Sequence, residues 1–513
     1  MVSLKTLVLS ALLFPAIIRA QATPYVPVDD IAYNYVDALM ARGYLQELSA
    51  LERPFTAGAL RAATDSGLAR QPSRRSADYL NALRSSLERY ELRKRGESAT
   101  DTLPFRAKAT FDIYGTAQTS ARRELMLADV NDAIKPGSAG YFVFGARSLA
   151  GGVRAILDNR LNTDPDFHGK QDRSIAGRTQ DGYVSGQWKY AHVSFGRVAR
   201  NWGPMSLEGL QLSPAPYTYD HLYARFGTDR LNVSTVIAKL ENLVVNDDGD
   251  QAARFFSVHR LSYKHGRYEG ALSEGVIYSG VGRNYEMSLI NPFNVYALSW
   301  RDEQLDGNLS MGFENSWRAG KFGTWGAHIF LDDLQIDKCD TTCKEPGSYG
   351  LTFTADGLPL TGEQRWFASY TRVSNLAYHT PNPAERYSIR EIGLGRPYSD
   401  YDEVRLGADL AILARTPLKL YVAHRRQGEG DYRAPFPPVS SYDTTPIFLT
   451  GTVWTVNRIG LSGASIVTRD LQIVGDAGIN NVKNRNNIVG KNITAFEGRV
   501  KIIWVPRWLI TFE

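Results

Sequence analysis

The chain reads as an antiparallel transmembrane β-barrel of about 18 strands, preceded by a small N-terminal helical bundle. Three observations predict that fold class. The 513-residue chain opens on a secretion signal. From Phe105 onward its apolar residues recur with a period of two, the mark of strands with one apolar face. No stretch after the signal reaches the roughly 18 consecutive apolar residues that a membrane helix needs.

The signal is MVSLKTLVLSALLFPAIIRAQA, residues 1–22. Lys5 supplies the basic start, Leu7 to Ile18 the apolar stretch, and Ala20 and Ala22 the small residues a signal peptidase prefers. Cleavage is expected after Ala20 or Ala22, with no cysteine placed for a lipid anchor. Gly (45), Tyr (27), Phe (21) and Trp (9) give a composition that suits strands, although a soluble β-protein shares it. The formal charge of +5 falls to about +3 once Lys5 and Arg19 leave with the signal. That charge is too weak and too evenly spread for a nucleic-acid partner.

Residues 23–102 read as a helical region on the periplasmic side. Ile31, Tyr35, Val36, Leu39 and Met40 recur at helical spacing, with Asp29 or Asp30 placed to cap the start and Gly43 to stop it. A second helix is expected from Thr56 to near Gly67. A third follows Ser76, with Tyr79, Leu80, Leu83, Leu87 and Tyr90 in one stripe. Three short helices have little core of their own, so they are expected to pack on the end of the barrel; the alternative is a free module on a linker.

Residues 103–513 read as the barrel. Val404, Leu406, Ala408 and Leu410 oppose Arg405 and Asp409; Leu471, Ile473, Gly475, Ala477 and Ile479 oppose Gln472, Asp476 and Asn480. Phe496, Gly498, Val500, Ile502 and Trp504 oppose Glu497, Arg499 and Lys501. Charges of both signs on the polar faces suit a lumen, and Trp454, Trp504 and Trp508 suit interfacial girdles. Extracellular loops are expected at Asp158–Thr179, Asp337–Gln364, Tyr378–Ser388 and Gln427–Thr445. Cys339 and Cys343 lie in one of them, in a turn-rich stretch of an exported chain, and read as a disulfide closing a small loop. Zinc would need further ligands that are not local.

No catalytic residue, metal or cofactor is expected. The GLSGA stretch at Gly460–Ala464 lacks the last glycine of a nucleophile elbow and lies in a strand pattern. His259 and His265 are the closest histidine pair, with nothing nearby to complete a metal site. The chain is expected not to be an enzyme.

The segment FGRVARNWGPMSLEGLQLSPAPYTYDHLYARF, residues 195–226, stands apart. Arg197 and Arg200 approach a turn in which Gly203 permits close backbone approach and Pro204 fixes the path. Trp202 could stack on a sugar face while the arginines bind anionic groups. In the structural alternative, Trp202 packs in the wall and the arginines pair with lumen carboxylates.

Three stretches resemble the outer-membrane capsule assembly protein family Wzi: VPVDDIAYNYVDALMARGYLQELSALERPFT, then GRVARNWGP followed by LSPAPYTYDHL, and HIFLDDLQID with Asp332, Asp333 and Asp337. The resemblance implies a blocked barrel of the outer membrane that holds capsular or other surface polysaccharide without catalysis. It carries no individual functional residue onto this chain. The partners it implies are surface polysaccharide, outer-membrane lipid and lipopolysaccharide, and the barrel assembly machinery. The alternative function is a porin or polysaccharide export channel. Tyr349, Trp366, Tyr370, Tyr378 and Tyr387 are the loop aromatics expected to serve a glycan.

Overall fold

A computed structural model describes residues 21–93, 97, 104–126, 132–171, 175–303, 306–333, 346–506 and 510–512. The three helices span Ala32–Ala41 (α1), Ala57–Ala69 (α2) and Arg74–Ser86 (α3). Gly43 ends α1 at φ +82, where Gly43 N bonds Met40 O and Tyr44 N reaches back to Leu39 O, closing the last carbonyls as a Schellman turn does. The hydroxyl of Thr56 caps α2, and that of Ser73 caps α3, so α3 begins before the Ser76 expected from the pattern. At α1 the carboxylate of Asp30 takes the amide of Ala32.

The strands are Arg106–Gln118 (β1), Ala133–Ala146 (β2), Leu149–Asp158 (β3), Gly177–Gln187 (β4), Ala191–Arg197 (β5) and Asp220–Gly227 (β6). Leu231–Lys239 (β7), Gln251–His265 (β8), Tyr268–Val281 (β9), Asn308–Arg318 (β10), Thr324–Asp333 (β11) and Ser348–Pro359 (β12) follow. The wall is completed by Arg365–Val373 (β13), Tyr401–Leu413 (β14), Thr416–Gln427 (β15), Trp454–Ile466 (β16), Leu471–Lys483 (β17) and Ile493–Trp504 (β18). Each strand pairs antiparallel with the next, and β18 returns to β1 from Ile113↔Trp504 to Gln118↔Arg499. Ile510–Phe512 resumes that seam against Ala107–Ala109. The result is a closed 18-stranded barrel.

Alternation places side chains as the pattern predicts, except that Trp454, expected in a girdle, is in phase with lumen-facing Val456 and Arg458 and packs inward beside Tyr421 and Met126. Phe496 (61% exposed) and Ile479 (56%) face outward, whereas Glu497 (1%) and Asn480 (0%) face the lumen. Outward Trp188, Tyr268, Trp317, Trp325, Trp366 and Trp504 gather near one end, as an interfacial girdle does. Trp508 and the Cys339–Cys343 pair lie outside the described residues. An outer face of Leu, Ile, Val and Phe with this girdle is a membrane-spanning wall.

Connections alternate in length. Turns at one end run from 2 residues (147–148) to 5 (319–323); loops at the other run from 9 (484–492) to 27 (374–400). Two expected loops prove different. Residues 337–364 include β12, whose alternating face was hidden by flanking polar residues, and the short turn 360–364. Residues 378–388 turn into the lumen and pack there.

The helices sit at the short-turn end and reach into the bore. Tyr35 hydroxyl donates to Arg415 O (2.6 Å), Arg75 to Ala411 O (3.0 Å) and Ile412 O (3.2 Å), and Lys264 to Glu47 O (2.9 Å). Deeper, Arg42 pairs with Asp409 at 2.7 Å, Asp29 with Arg154 at 2.8 Å, and Arg89 with Asp112 at 2.7 Å. Val36, Leu39, Leu80 and Leu83 share one core with the wall residues Val143, Ala464 and Ile466.

Candidate functional site: a filled lumen and its long-loop mouth

The residues singled out around Trp202 lie where three parts of the chain meet. The segment between β5 and β6 folds inward, and its Asn201 and Trp202 pair antiparallel with Arg53 and Glu52 of the helical region. Gly203 N continues the contact to Leu51 O (3.0 Å), and Trp202 N bonds Leu212 O (2.9 Å). A Cβ on Gly203 would lie 2.7 Å from the Gly209 Cα, so only glycine fits this turn. Asn201 locks it, donating to Leu207 O (2.7 Å) and accepting from Gly209 N (2.7 Å). Pro204 lies at the turn, its Leu207 amide bonding Pro204 O at 3.2 Å.

Trp202 is fully buried, with the Arg260 guanidinium 5.5 Å from its ring. Arg200 is buried too. It donates to His221 Nε2 (2.9 Å), Ser194 Oγ (2.8 Å) and Tyr25 hydroxyl (3.3 Å), and lies 3.7 Å above the Tyr223 ring. Accepting from Arg200 leaves the His221 proton on Nδ1, aimed at Tyr219 O at 3.0 Å. Arg197 pairs with Asp220 at 2.7 Å and stays half-buried. Arg197 thus pairs with a carboxylate, but an exposed one that alternates with lumen-facing His221, whereas Arg200 uses neutral acceptors and aromatic faces; neither has a lumen carboxylate as its partner among the described residues. Arg200 and Trp202 present no free face to a ligand in this structure.

Glu52 is the electrostatic hinge of the junction. It accepts from the Tyr223 hydroxyl (2.8 Å) and lies 3.6 Å from Arg260, which also grips Glu314 at 2.8 Å. Burial pushes the Glu52 carboxyl up, but Arg260, Arg225 and Arg200 together hold it below the ordinary carboxylate range. Arg154 does the same for Asp29 against burial. Asp30 goes the other way, raised by burial.

Residues 374–400 supply the second inward segment. Tyr378 hydroxyl donates to Leu210 O (2.7 Å), Tyr387 hydroxyl to Gln211 O (3.1 Å), and Ser213 N to Leu394 O (2.9 Å). Gly395 is packed so closely on Leu210 O that a Cβ would overlap it at 1.9 Å. Arg254 reaches in from the wall to Arg386 O (2.8 Å) and Ser388 O (2.9 Å). Trp202, Leu210, Leu212, Phe330, Tyr378, Tyr387 and Tyr401 thereby form a continuous core across the bore. Tyr378 and Tyr387 are plug residues, not loop-tip aromatics, and Trp366 lies beside the opposite, short-turn end. Tyr349 and Tyr370 remain partly exposed towards the long-loop side of the wall. Asp332 carries the Tyr378 amide on its carboxylate; the side chain of Asp333 and all of Asp337 lie outside the described residues.

One organising residue is not legible in the sequence. Asp400 accepts from Gly430 N (2.9 Å), Leu449 N (2.6 Å), Thr450 N (3.0 Å) and Thr450 Oγ (2.6 Å), tying the plug to the loop 428–453. Nothing in its local spacing distinguishes it from other loop aspartates; its partners are 30 to 50 residues away.

Above the plug, rings and guanidinium groups meet at the long-loop mouth. Arg123 and Arg178 each lie 4.5 Å from the Tyr217 ring, whose hydroxyl donates to Asp164 at 2.6 Å. Beneath them, buried Arg425 lies 4.5 Å from Tyr401 of the plug core and 5.0 Å from Tyr398, and pairs with Glu124, so it braces the mouth and does not open onto it. Phe436 meets His379 (5.0 Å) and Tyr442 (6.1 Å) edge to face, with Arg433 on the same loop. Planar donors and half-buried rings together suit hydroxyl-rich ligands, sugars with carboxylates included. No group of His, Cys, Asp and Glu among the described residues could hold a metal ion.

Wall, girdle and loop asymmetry define the architecture of outer-membrane β-barrels, here with a bore filled by its own chain. No protein-family model matches the sequence, and no curated protein matches it. Among solved structures it is similar to Wzi of Escherichia coli, an outer-membrane protein involved in group 1 capsule assembly and a carbohydrate-binding β-barrel. That match is 12% identical at a TM-score of 0.61, covering 94% of this chain and 99% of Wzi. OccAB4 of Acinetobacter baumannii matches at 10% identity and a TM-score of 0.44, over 80% of this chain and 99% of its own. OpdK of Pseudomonas aeruginosa, solved with vanillate, matches at 10% and 0.43, over 80% and 99%. At such identities the likeness to Wzi speaks for the fold.

Proposed function

We propose that this chain is a non-enzymatic outer-membrane barrel that holds surface polysaccharide at its long-loop mouth and assists its assembly, its helical region facing the periplasm. The observation that carries this reading is the filled bore: helical region, residues 198–219 and residues 374–400 share cores and hydrogen bonds across the lumen. A barrel filled in this way is suited to hold a ligand at its rim. Short turns face the periplasm in barrels of this kind, which puts the mouth outside. The carbohydrate binding of Wzi, on the same fold, supports the ligand class. Membrane lipid, lipopolysaccharide and the barrel assembly machinery are the further partners this location entails.

Retention of the host's capsular or exopolysaccharide on purified protein in nanodiscs tests the reading. Retention above a matched neutral glycan is expected, and is expected to fall on joint Arg433→Ala and Phe436→Ala substitution. Equal retention of both glycans would count against it.

A further inference from the structure

The segment 282–303 leaves β9 at the long-loop end but does not stay there. It descends along the outside of the wall. Tyr296 packs at a tilt against His259 on β8 (4.3 Å between rings), and its amide donates to Glu274 on β9 (2.9 Å). Phe293 reaches Phe226 on β6 (6.2 Å), next to the short turn at 228–230. The paired residues show how deep this is. Phe226, Val233, Leu261 and Leu272 lie directly opposite one another on β6 to β9. From Val281 down to Leu272 a tilted strand descends about 20 Å.

The wall beneath is polar where its neighbours are not. His259 and Glu274 alternate with the lumen residues Val258 and Ser273 and so point outward, joined at 3.2 Å. The same row continues to Met311 on β10 and Leu331 on β11. One row higher, outward Ser257 aligns with Leu222, Phe195 and Val184, which are exposed and apolar. Facing lipid without cover, His259 and Glu274 would be costly. The loop covers them with Leu289 and Tyr296, both buried against Phe255, Val276 and Tyr278.

The loop's other face matches the membrane. Residues 287–300, MSLINPFNVYALSW, contain no charged side chain, whereas Arg283 and Glu286 precede them and Arg301, Asp302 and Glu303 follow. Met287 (76%), Phe293 (69%), Leu298 (64%) and Trp300 (48%) are exposed. This apolar face meets the outward surface of β6 at Phe226.

We infer that residues 287–300 are embedded in the acyl-chain region of the membrane, as a helical patch sealing the His259–Glu274 pair from lipid. The occupant of their exposed face is membrane lipid. This goes beyond the glycan reading and stands or falls independently of it.

Site-directed spin labelling tests it on the full chain in phosphatidylethanolamine–phosphatidylglycerol vesicles, in a Cys339→Ser and Cys343→Ser background. Labels at Leu298→Cys and, separately, Phe293→Cys are compared with Val422→Cys on the bare wall and Ser440→Cys on a long loop. The expected result is an oxygen-to-nickel-chelate accessibility ratio several-fold above that of Ser440→Cys and close to that of Val422→Cys. A ratio at the level of Ser440→Cys overturns the inference, as does dipolar broadening between labels, which would put a second copy of the chain on this face. Two label sites keep the test decisive if one of them perturbs the barrel.

Discussion

Trp202 shows how much of this molecule is settled by single side chains. Its indole fills the place where strand residues 52–53, the inward turn at Gly203 and the Arg260 side chain converge. Truncating a fully buried tryptophan removes a large contact surface and leaves a cavity, at a cost of about 3–5 kcal/mol. Trp202→Ala is therefore expected to lower the thermal midpoint and to expose residues 23–90 to protease, while the strands, paired among themselves, stay assembled. Unchanged protease resistance would show that the helical region does not depend on this junction. The sequence singled out this segment through its Trp–Gly–Pro turn, but could not tell a buried tryptophan from a sugar platform. That distinction rests on which residues lie opposite, and here they come from residue 52, some 150 positions away.

At the level of elements, the docking of the helical region is electrostatic at depth and apolar near the rim. Glu52, held below its ordinary value of 4.5, stabilises the folded state fully above that pH. Its contribution is lost as the pH falls through the depressed folded value. Asp29 acts in the same direction and Asp30 in the opposite one, so a difference measurement isolates Glu52. The thermal midpoint of the wild type is expected to exceed that of Glu52→Gln at neutral pH, with the gap shrinking below about 4.5. A gap that stays constant into acid would refute the linkage. The elements themselves were legible to different degrees. Period-two faces at Val404–Leu410, Leu471–Asn480 and Phe496–Trp504 announced strands because each has one lipid face and one lumen face. The helices announced themselves by their stripes and by Thr56 and Gly43. Residues 378–388 were read as an outer loop because a segment that folds inward between strands has no periodicity to show which way it turns. The descent of residues 287–300 along the wall was hidden for the same reason, although their lack of charge between charged flanks was a signal that could have been used.

For the whole molecule, the closed wall and the filled bore follow from one economy of folding. Eighteen strands enclose more space than their own inward side chains fill, and this chain fills it with residues 23–90 and with inward parts of its long loops, residues 120–126, 198–219 and 374–400 among them. Buried ion pairs such as Arg42–Asp409 and Arg89–Asp112 then link wall to filling, because inward carboxylates and guanidinium groups would otherwise lack partners. The same construction separates the two functions a barrel can serve: a conducting path, or a rigid base for a mouth. The reading as a base rather than a path is tested most directly by planar-bilayer conductance of the purified full chain. No stable open channel is expected, and conductance is expected to appear when residues 376–397 are replaced by a short flexible linker. A stable open channel in the unaltered protein would contradict the account and restore the porin or export-channel reading.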